Sequence, residues 1–259
     1  MTENLNLLNL LNPLSVTPAV WLLTMASAFL VGLSKSGIKG IGMISIPVLV
    51  YLYGAQASVG ILLPILVFGD AMALIQYHKS GRLKEILKLF PFAAVGIIGA
   101  VLVGSYINDN QFRDAIAGIL LLSLFIMLFN EIRGKKESLS NSPFFRSFFG
   151  VTGGFATMIG NAAGPIFNLY ILSMRLPKNS FIGTGAWFFL ILNLFKVPFH
   201  IFAWHTITVD TFHMDVLMIP GIFVGAVAGK HIVKFIPEKT YRFFIYIVIF
   251  LSSVMMFFK

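Results

Sequence analysis

Two stretches of this chain set polar groups into otherwise unbroken apolar sequence. The first, Gly32-Leu-Ser-Lys-Ser-Gly-Ile-Lys-Gly40, places Ser34, Lys35, Ser36 and Lys39 among three glycines. A charged side chain at membrane depth costs at least ~2.5–3.5 kcal/mol, so two lysines there need water or a counter-charge. Either the stretch is a hairpin tip that holds these four residues toward an anion, or it is a surface turn whose lysines snorkel outward. The second stretch, Thr157-Met-Ile-Gly-Asn-Ala-Ala-Gly-Pro165, carries Gly160, Asn161 and Gly164 ahead of a proline. Pro165 suits the first turn of a new helix, with Gly164 leaving its amides open. Unpaired N–H groups and the positive dipole end attract anions at such a start, and Asn161 adds a neutral donor. A plain helix kink is the alternative. Gly42 and Pro47 follow the first break as Gly160 and Pro165 close the second, so two helix N-termini are expected to face each other across a pseudo-symmetry axis.

Further polar groups stand in the apolar run after each break: Asp70 in the first case, Asn193 and Lys196 in the second. Asp70 is 12 residues past Ser58, about 18 Å along a helix. Lys196 is 16 residues past Ser180, which leaves it roughly 6 Å from the far edge of a ~30 Å apolar core. A depth difference of about 12 Å speaks against a direct ion pair, and Lys196 is expected to snorkel outward. Asp70 is either a proton-coupling carboxylate or a buried acid hydrogen-bonded to small neighbours. These three residues are candidates for coupling or for support behind the substrate.

Several chemistries are excluded. The five histidines form no HExxH-type cluster and no P-loop is present, so neither metal nor ATP chemistry is expected, and no cofactor is implied. No serine or aspartate has a histidine at comparable depth, which disfavours an intramembrane hydrolase. With no cysteine there is neither disulfide nor thiol relay. Trp21, Trp187 and Trp204 read as interfacial belt residues.

The elements that must position these groups follow from hydropathy. Of 259 residues, 58% are hydrophobic and 11% charged, with a mean hydropathy of +0.89, too apolar for a surface in water. Apolar segments fall at 19–33, 41–53, 58–77, 91–107, 113–131, 144–158, 163–174, 181–201, 212–229 and 241–258. The organisation expected is an N-terminal segment over 1–15 that is interfacial at most, a membrane repeat over 16–132, a cytoplasmic connecting loop over 133–142 and a second repeat over 143–259. The net charge of +9 sits in short loops rather than in aromatic-interleaved patches, which excludes nucleic acid and points to the bilayer.

Spacing supports the repeat. Gly32-x9-Gly42-x4-Pro47 recurs as Gly150-x9-Gly160-x4-Pro165, and Gly96-x3-Ala100-x3-Gly104 as Gly221-x3-Gly225-x3-Gly229. Small-xxx-small runs also serve close helix packing by themselves. Segments 19–33 and 41–53, like 144–158 and 163–174, are too short to cross comfortably, so each pair is a broken span or a hairpin returning to its own side. Charge favours hairpins. With them, fourteen loop Lys and Arg residues share one side against Arg113 and Lys259 on the other. The fold class expected is therefore an all-α polytopic membrane protein of two inverted repeats. Each repeat is a broken or re-entrant helical hairpin plus three transmembrane helices, and both termini lie outside.

On Gly32–Pro47, Gly150–Pro165 and the glycine-rich runs at 96–104 and 221–229, the chain resembles the sulfite exporter TauE/SafE family, also called the 4-toluenesulfonate uptake permeases. The resemblance covers nearly the whole chain. It implies a secondary transporter of the bacterial cytoplasmic membrane, an exporter driven by an ion gradient. The implied substrate is a small organosulfur anion such as sulfite or sulfoacetate. The family's first break is usually a glycine cluster without lysines; Lys35 and Lys39 depart from that. An anion channel, or a carrier for another small anion such as a carboxylate, is the alternative.

Overall fold

The computed structural model describes residues 17–35, 40–77, 81–133, 143–174, 176, 178–232 and 238–258. Ser36, Lys39, the segment over 1–15 and the loop over 134–142 lie outside them. The helices are α1 (Pro18–Lys35), a 3-10 turn (Ile41–Ile44), α2 (Ser45–Tyr53), α3 (Ala55–Tyr77), α4 (Leu83–Tyr106) and α5 (Asp109–Arg133). The second half follows with α6 (Pro143–Gly160), α7 (Gly164–Ser173), α8 (Lys178–Phe202), α9 (Val209–Ile232) and α10 (Glu238–Phe257). Each apolar segment corresponds to one helical stretch. The largest difference is α4, which begins at Leu83 rather than 91. Its first turns bury Ile86 and Leu89 while Lys84 and Lys88 are exposed, so the charges end the apolar run but not the helix.

Six described helices, α1, α3, α4, α5, α8 and α9, are long and apolar enough to cross a membrane. Their outward faces carry large apolar side chains such as Leu22, Ile75, Leu102, Phe125, Leu194 and Phe223, while Asp70, Asn193, Lys196, His200 and Asp215 are buried. That distribution suits a lipid surround.

Both short pairs are hairpins. Thr24 Oγ1 lies 2.6 Å from Tyr53 Oη, Ser45 Oγ donates to Ser27 O at 2.9 Å, and Gly42 faces Ser34, so α2 runs back along α1. Phe145 stacks on Tyr170 and Gly153 faces Ile166, so α7 runs back along α6. Pro47 and Pro165 stand in the first turns of α2 and α7, where a missing N–H costs nothing.

Helices α3 and α8 pair along their length in opposite directions. Gly60 lies against Thr206 at one end, Asn193 bonds Asp70 in the middle, and Arg82 N–H donates to Thr184 Oγ1 at the other. Around this pair, α1 packs on α9 and α6 on α4, α5 packs on α10, α4 touches α8 as α9 touches α3, and α2 touches α10 as α7 touches α5. The glycines make these contacts close. A Cβ at Gly96 would overlap Val151 O, one at Gly154 would overlap Ala93 O, and on the other side Gly32 and Gly225 stand as close to Ile222 O and Phe29 O. Tight backbone approach is what small residues provide where lipid offers no hydrophobic drive for helix association.

Candidate functional site

A polar ladder is built on one face of α8. Phe189, Asn193, Lys196 and His200 succeed one another at steps of four, three and four, which align on a helix. Asn193 Nδ2 donates to Asp70 Oδ2 on α3 at 2.7 Å. The other oxygen of Asp70 takes an ion pair from Lys35, the last residue of α1. Lys35 Nζ also lies 5.5 Å from the centroid of the Phe189 ring. Asp70 is 1% exposed and the Lys35 side chain 18%. Among the described residues Asp70 is the only ion-pair partner of Lys35.

One turn further along α8, Lys196 is fully buried. Its ammonium donates to Thr157 O at 3.0 Å, Thr157 Oγ1 at 3.1 Å and Asn161 Oδ1 at 2.6 Å. Three acceptors satisfy all three of its donors. Asn161 in turn donates through Nδ2 to Val59 O on α3 at 3.2 Å. It sits at φ 52°, the left-handed conformation that asparagine tolerates better than most residues, and so ends α6 while its side chain bridges α8 and α3. Ser123 Oγ holds the turn from behind through Ala162 O at 3.0 Å. At the last rung, His200 Nδ1 and Thr206 Oγ1 are 2.7 Å apart.

Three expectations are corrected here. Lys196 does not snorkel: the chain gives it an inward cage of three oxygens, which a reckoning of depth along α8 alone could not foresee. Trp204 is not a belt residue. It is 7% exposed, donates from Nε1 to Val101 O and packs edge-on against Phe112 and His200. The two hairpin tips do not meet at one level either. Lys35 reaches Asp70 and Asn161 reaches Val59, contacts 11 residues apart on α3, or about 16 Å along its axis. The tips overlap past each other, and the face of α8 joins them. Among the described residues Lys196 makes no ion pair with Asp70; Asn193, one turn earlier on α8, bonds that carboxylate instead.

Ser34, Gly42, Gly160 and Gly164 all lie at the breaks. Gly42 and Ser34 touch one another, and a Cβ at Gly164 would meet only open space. Thr157, Phe189 and Val59 belong to the ladder without having been singled out. For Phe189 the signal was legible, since it completes the helical spacing with Asn193 and Lys196. Nothing local marks Thr157, and Val59 contributes only a carbonyl.

An aromatic cluster adjoins Phe189, the ring that Lys35 faces. Phe167 of α7 lies flat on Phe188 at 3.4 Å and 4°, and edge-on to Phe189 at 5.3 Å; Tyr170 stacks on Phe145 one turn beyond.

An apolar exterior around a ladder of hydrogen-bonded polar side chains is the build of a helical membrane transport protein. Residues 24–256 match the family model described as Sulfite exporter TauE/SafE, and the chain belongs to that family, whose members are membrane exporters of sulfite and related sulfur anions. No curated protein and no solved structure matches the chain.

Proposed function

We propose that this chain is a secondary transporter moving small sulfur-containing anions, sulfite or sulfonates such as sulfoacetate, outward across the cytoplasmic membrane under an ion gradient. The observation that carries the reading is the Lys35–Asp70 pair: a half-buried cation at a hairpin tip whose counter-charge, a buried carboxylate, comes from a different helix. Lys196, held by neutral oxygens, fixes the second tip. Lys35 is the group free to trade partners. An entering anion takes the place of Asp70, and Asp70 takes a proton or stays on Asn193. Charge-assisted hydrogen bonds are short and strong enough to replace the displaced carboxylate.

The two halves are inverted repeats in this reading. The antiparallel α3–α8 pair and the exchange of packing partners between halves support it, and the one-sided basic loops support both termini lying outside. Alternating access would then be a rocking of the hairpins against the remaining helices. The test is purified protein in liposomes, screened for sulfite, sulfoacetate, taurine and thiosulfate flux, with and without imposed pH and voltage gradients. Gradient-driven accumulation is expected for at least one sulfur anion. Purely downhill flux would make the chain a channel, and flux of carboxylates alone would change the substrate class.

A further inference from the structure

A buried acid stands apart from the ladder. Asp215, on the second turn of α9, is 4% exposed, and neither oxygen of its carboxyl has a hydrogen-bond partner. Gly221 and Gly225 of α9 lie against Met25 and Phe29 of α1, so the two helices begin at the same end of the bundle. Asp215 is six residues before Gly221, about 9 Å nearer that end, whereas Lys35 closes α1 at the other. Met214 Sδ, on the residue next to Asp215, lies 3.6 Å from Tyr53 Oη. Tyr53 is buried and ends α2; Gly54 follows, where a φ of 87° turns the chain into α3. The Tyr53 hydroxyl is 2.6 Å from Thr24 Oγ1, which donates to Val20 O at 2.9 Å. Thr24 thus spends its proton on Val20, Tyr53 donates to Thr24, and the lone pairs of Tyr53 Oη stay open to an acid. Tyr53 also lies within the electrostatic field of Asp215.

We propose that Asp215 is a proton-binding site, a second carboxyl that takes up and releases a proton as the first hairpin moves against α9. A buried, ionised carboxylate without a donor is so costly that such a group neutralises instead. A residue placed there for packing alone would be apolar, as the buried Met214 and Met218 beside it are. Ionisable groups inside a membrane protein mark ion and proton paths. Among the described residues, the charges on the helices packed against α9 are Lys35 of α1 and Asp70 of α3, and these pair with each other. The remaining titratable groups on that side are Tyr53, the exposed Tyr51, and Tyr77 at the far end of α3. On α9 itself Asp210 and His213 are exposed, and Lys230 and His231 belong to its last turns. Asp109 stands beside Gly54, with its oxygens on the N–H groups of Ala55 and Gln56. A hard metal cation asks for about six oxygens. The described groups around Asp215 offer two hydroxyls bonded to each other and a thioether, whereas a proton needs no shell. Losing that proton leaves a bare carboxylate against Tyr53, so the charge of Asp215 sets how firmly the end of α2 seats on α9. The proposal rests on the transport reading only for what the proton drives, since proton binding itself is tested without transport.

The experiment follows the full chain, Asp70→Asn and Asp215→Asn in phosphatidylcholine nanodiscs by infrared difference spectroscopy through a pH titration. Near-ultraviolet circular dichroism checks folding at each step. The C=O stretch of a protonated carboxyl is well separated from the bands of a carboxylate. At neutral pH, where an exposed aspartate is ionised, the parent and Asp70→Asn should both show this stretch. It should shift in heavy water and disappear reversibly as pH rises while the protein stays folded. Asp215→Asn should lack it, and Asp215→Ser serves if that variant folds poorly. In liposomes, Asp215→Asn should move one proton fewer per anion than the parent. A stretch that is missing from the parent, survives in both Asp215 variants, or fails to titrate in folded protein would overturn the site. So would a stretch removed by sodium and not by pH, or an unchanged number of protons per anion. If the stretch titrates as expected but no sulfur anion is carried in liposomes, the transport reading fails by itself and the proton site stands.

Discussion

Lys35 and Asp70 give the most direct measure of how this interior is held. Removing one partner of a buried ion pair costs about 3–5 kcal/mol, because the other charge is left behind. The two single changes should differ. Lys35→Met strands a carboxylate at 1% exposure whose remaining partner is Asn193, so it belongs at the upper end, about 4–5 kcal/mol. Asp70→Asn leaves an ammonium on a side chain 18% exposed and near the face of Phe189, which returns about 0.5–1 kcal/mol. Its cost should be about 2–3 kcal/mol. Lys35→Met with Asp70→Asn strands nothing and should fall within about 2 kcal/mol of the parent. The interaction energy from the cycle is then about 4 kcal/mol or more, above the ~0.5–3 kcal/mol usual for residues in contact. Reversible unfolding in mixed micelles titrated with sodium dodecyl sulfate measures all four proteins. Additive losses, or a costlier Asp70→Asn than Lys35→Met, would refute the assignment of Asp70 as the counter-charge of Lys35.

Other outcomes follow from the same geometry. Lys35→Met with Asp70→Asn should bind a sulfonate at least tenfold more weakly by calorimetry in detergent, since the loss of a charge-assisted hydrogen bond is worth about 1.5–3 kcal/mol. In Asp70→Asn, substrate exchange should persist while accumulation driven by a pH gradient disappears; normal accumulation would make Asp70 a structural residue. Asn161→Ala removes one of the three acceptors of Lys196 and the bond to Val59 O, and should cost about 1–3 kcal/mol in the same unfolding assay. Single cysteines at Asn4, Ser140 and Lys259, in a chain with none of its own, report sidedness to an impermeant thiol reagent in intact cells. Labelling at the two ends but not at 140 is expected, and the reverse pattern would end the hairpin topology.

Much of the architecture was legible because membrane helices announce themselves by composition. The ten segments, the two breaks and the prolines at the starts of α2 and α7 were all visible from hydropathy and from the chemistry of glycine and proline. The charge count favoured hairpins over broken spans, and the contacts of Thr24 with Tyr53 and of Ser27 with Ser45 are those of a hairpin. What escaped was lateral geometry. Depth along one helix placed Lys196 near the outer edge, yet its fate was decided by which neighbour stood beside it, and the second hairpin tip brought Thr157 and Asn161 there. The same holds for Trp204, whose sequence position suits a belt but whose indole N–H finds Val101 O inside. Asp70 and Asn193 were both noted as buried polar residues. Their bond required that α3 and α8 run antiparallel with those two positions level, which follows from packing and not from either segment alone.

Lys196, fully buried, and Lys35, half-buried, solve one problem in different ways, and the difference separates their roles. Each carries a burial cost of at least ~2.5–3.5 kcal/mol at membrane depth. Lys196 offsets it with three neutral oxygens fixed by the end of α6, so its ammonium has no donor left for a ligand and moving it would break three bonds together. Lys35 offsets it with a single carboxylate that another helix carries, and that carboxylate keeps Asn193 as a partner when Lys35 lets go. A substrate anion can therefore replace Asp70 at Lys35 without leaving an unpartnered charge on either side, provided the carboxylate gains a proton as it is released. Two bare lysines would bind an anion tightly and release it slowly. One lysine whose counter-charge competes with the substrate binds less tightly, and that is the condition for turnover. On the proposed export reading, an inside-negative membrane would then pull the anion outward with about 2.3 kcal/mol per charge per 100 mV, comparable to the bond it must leave.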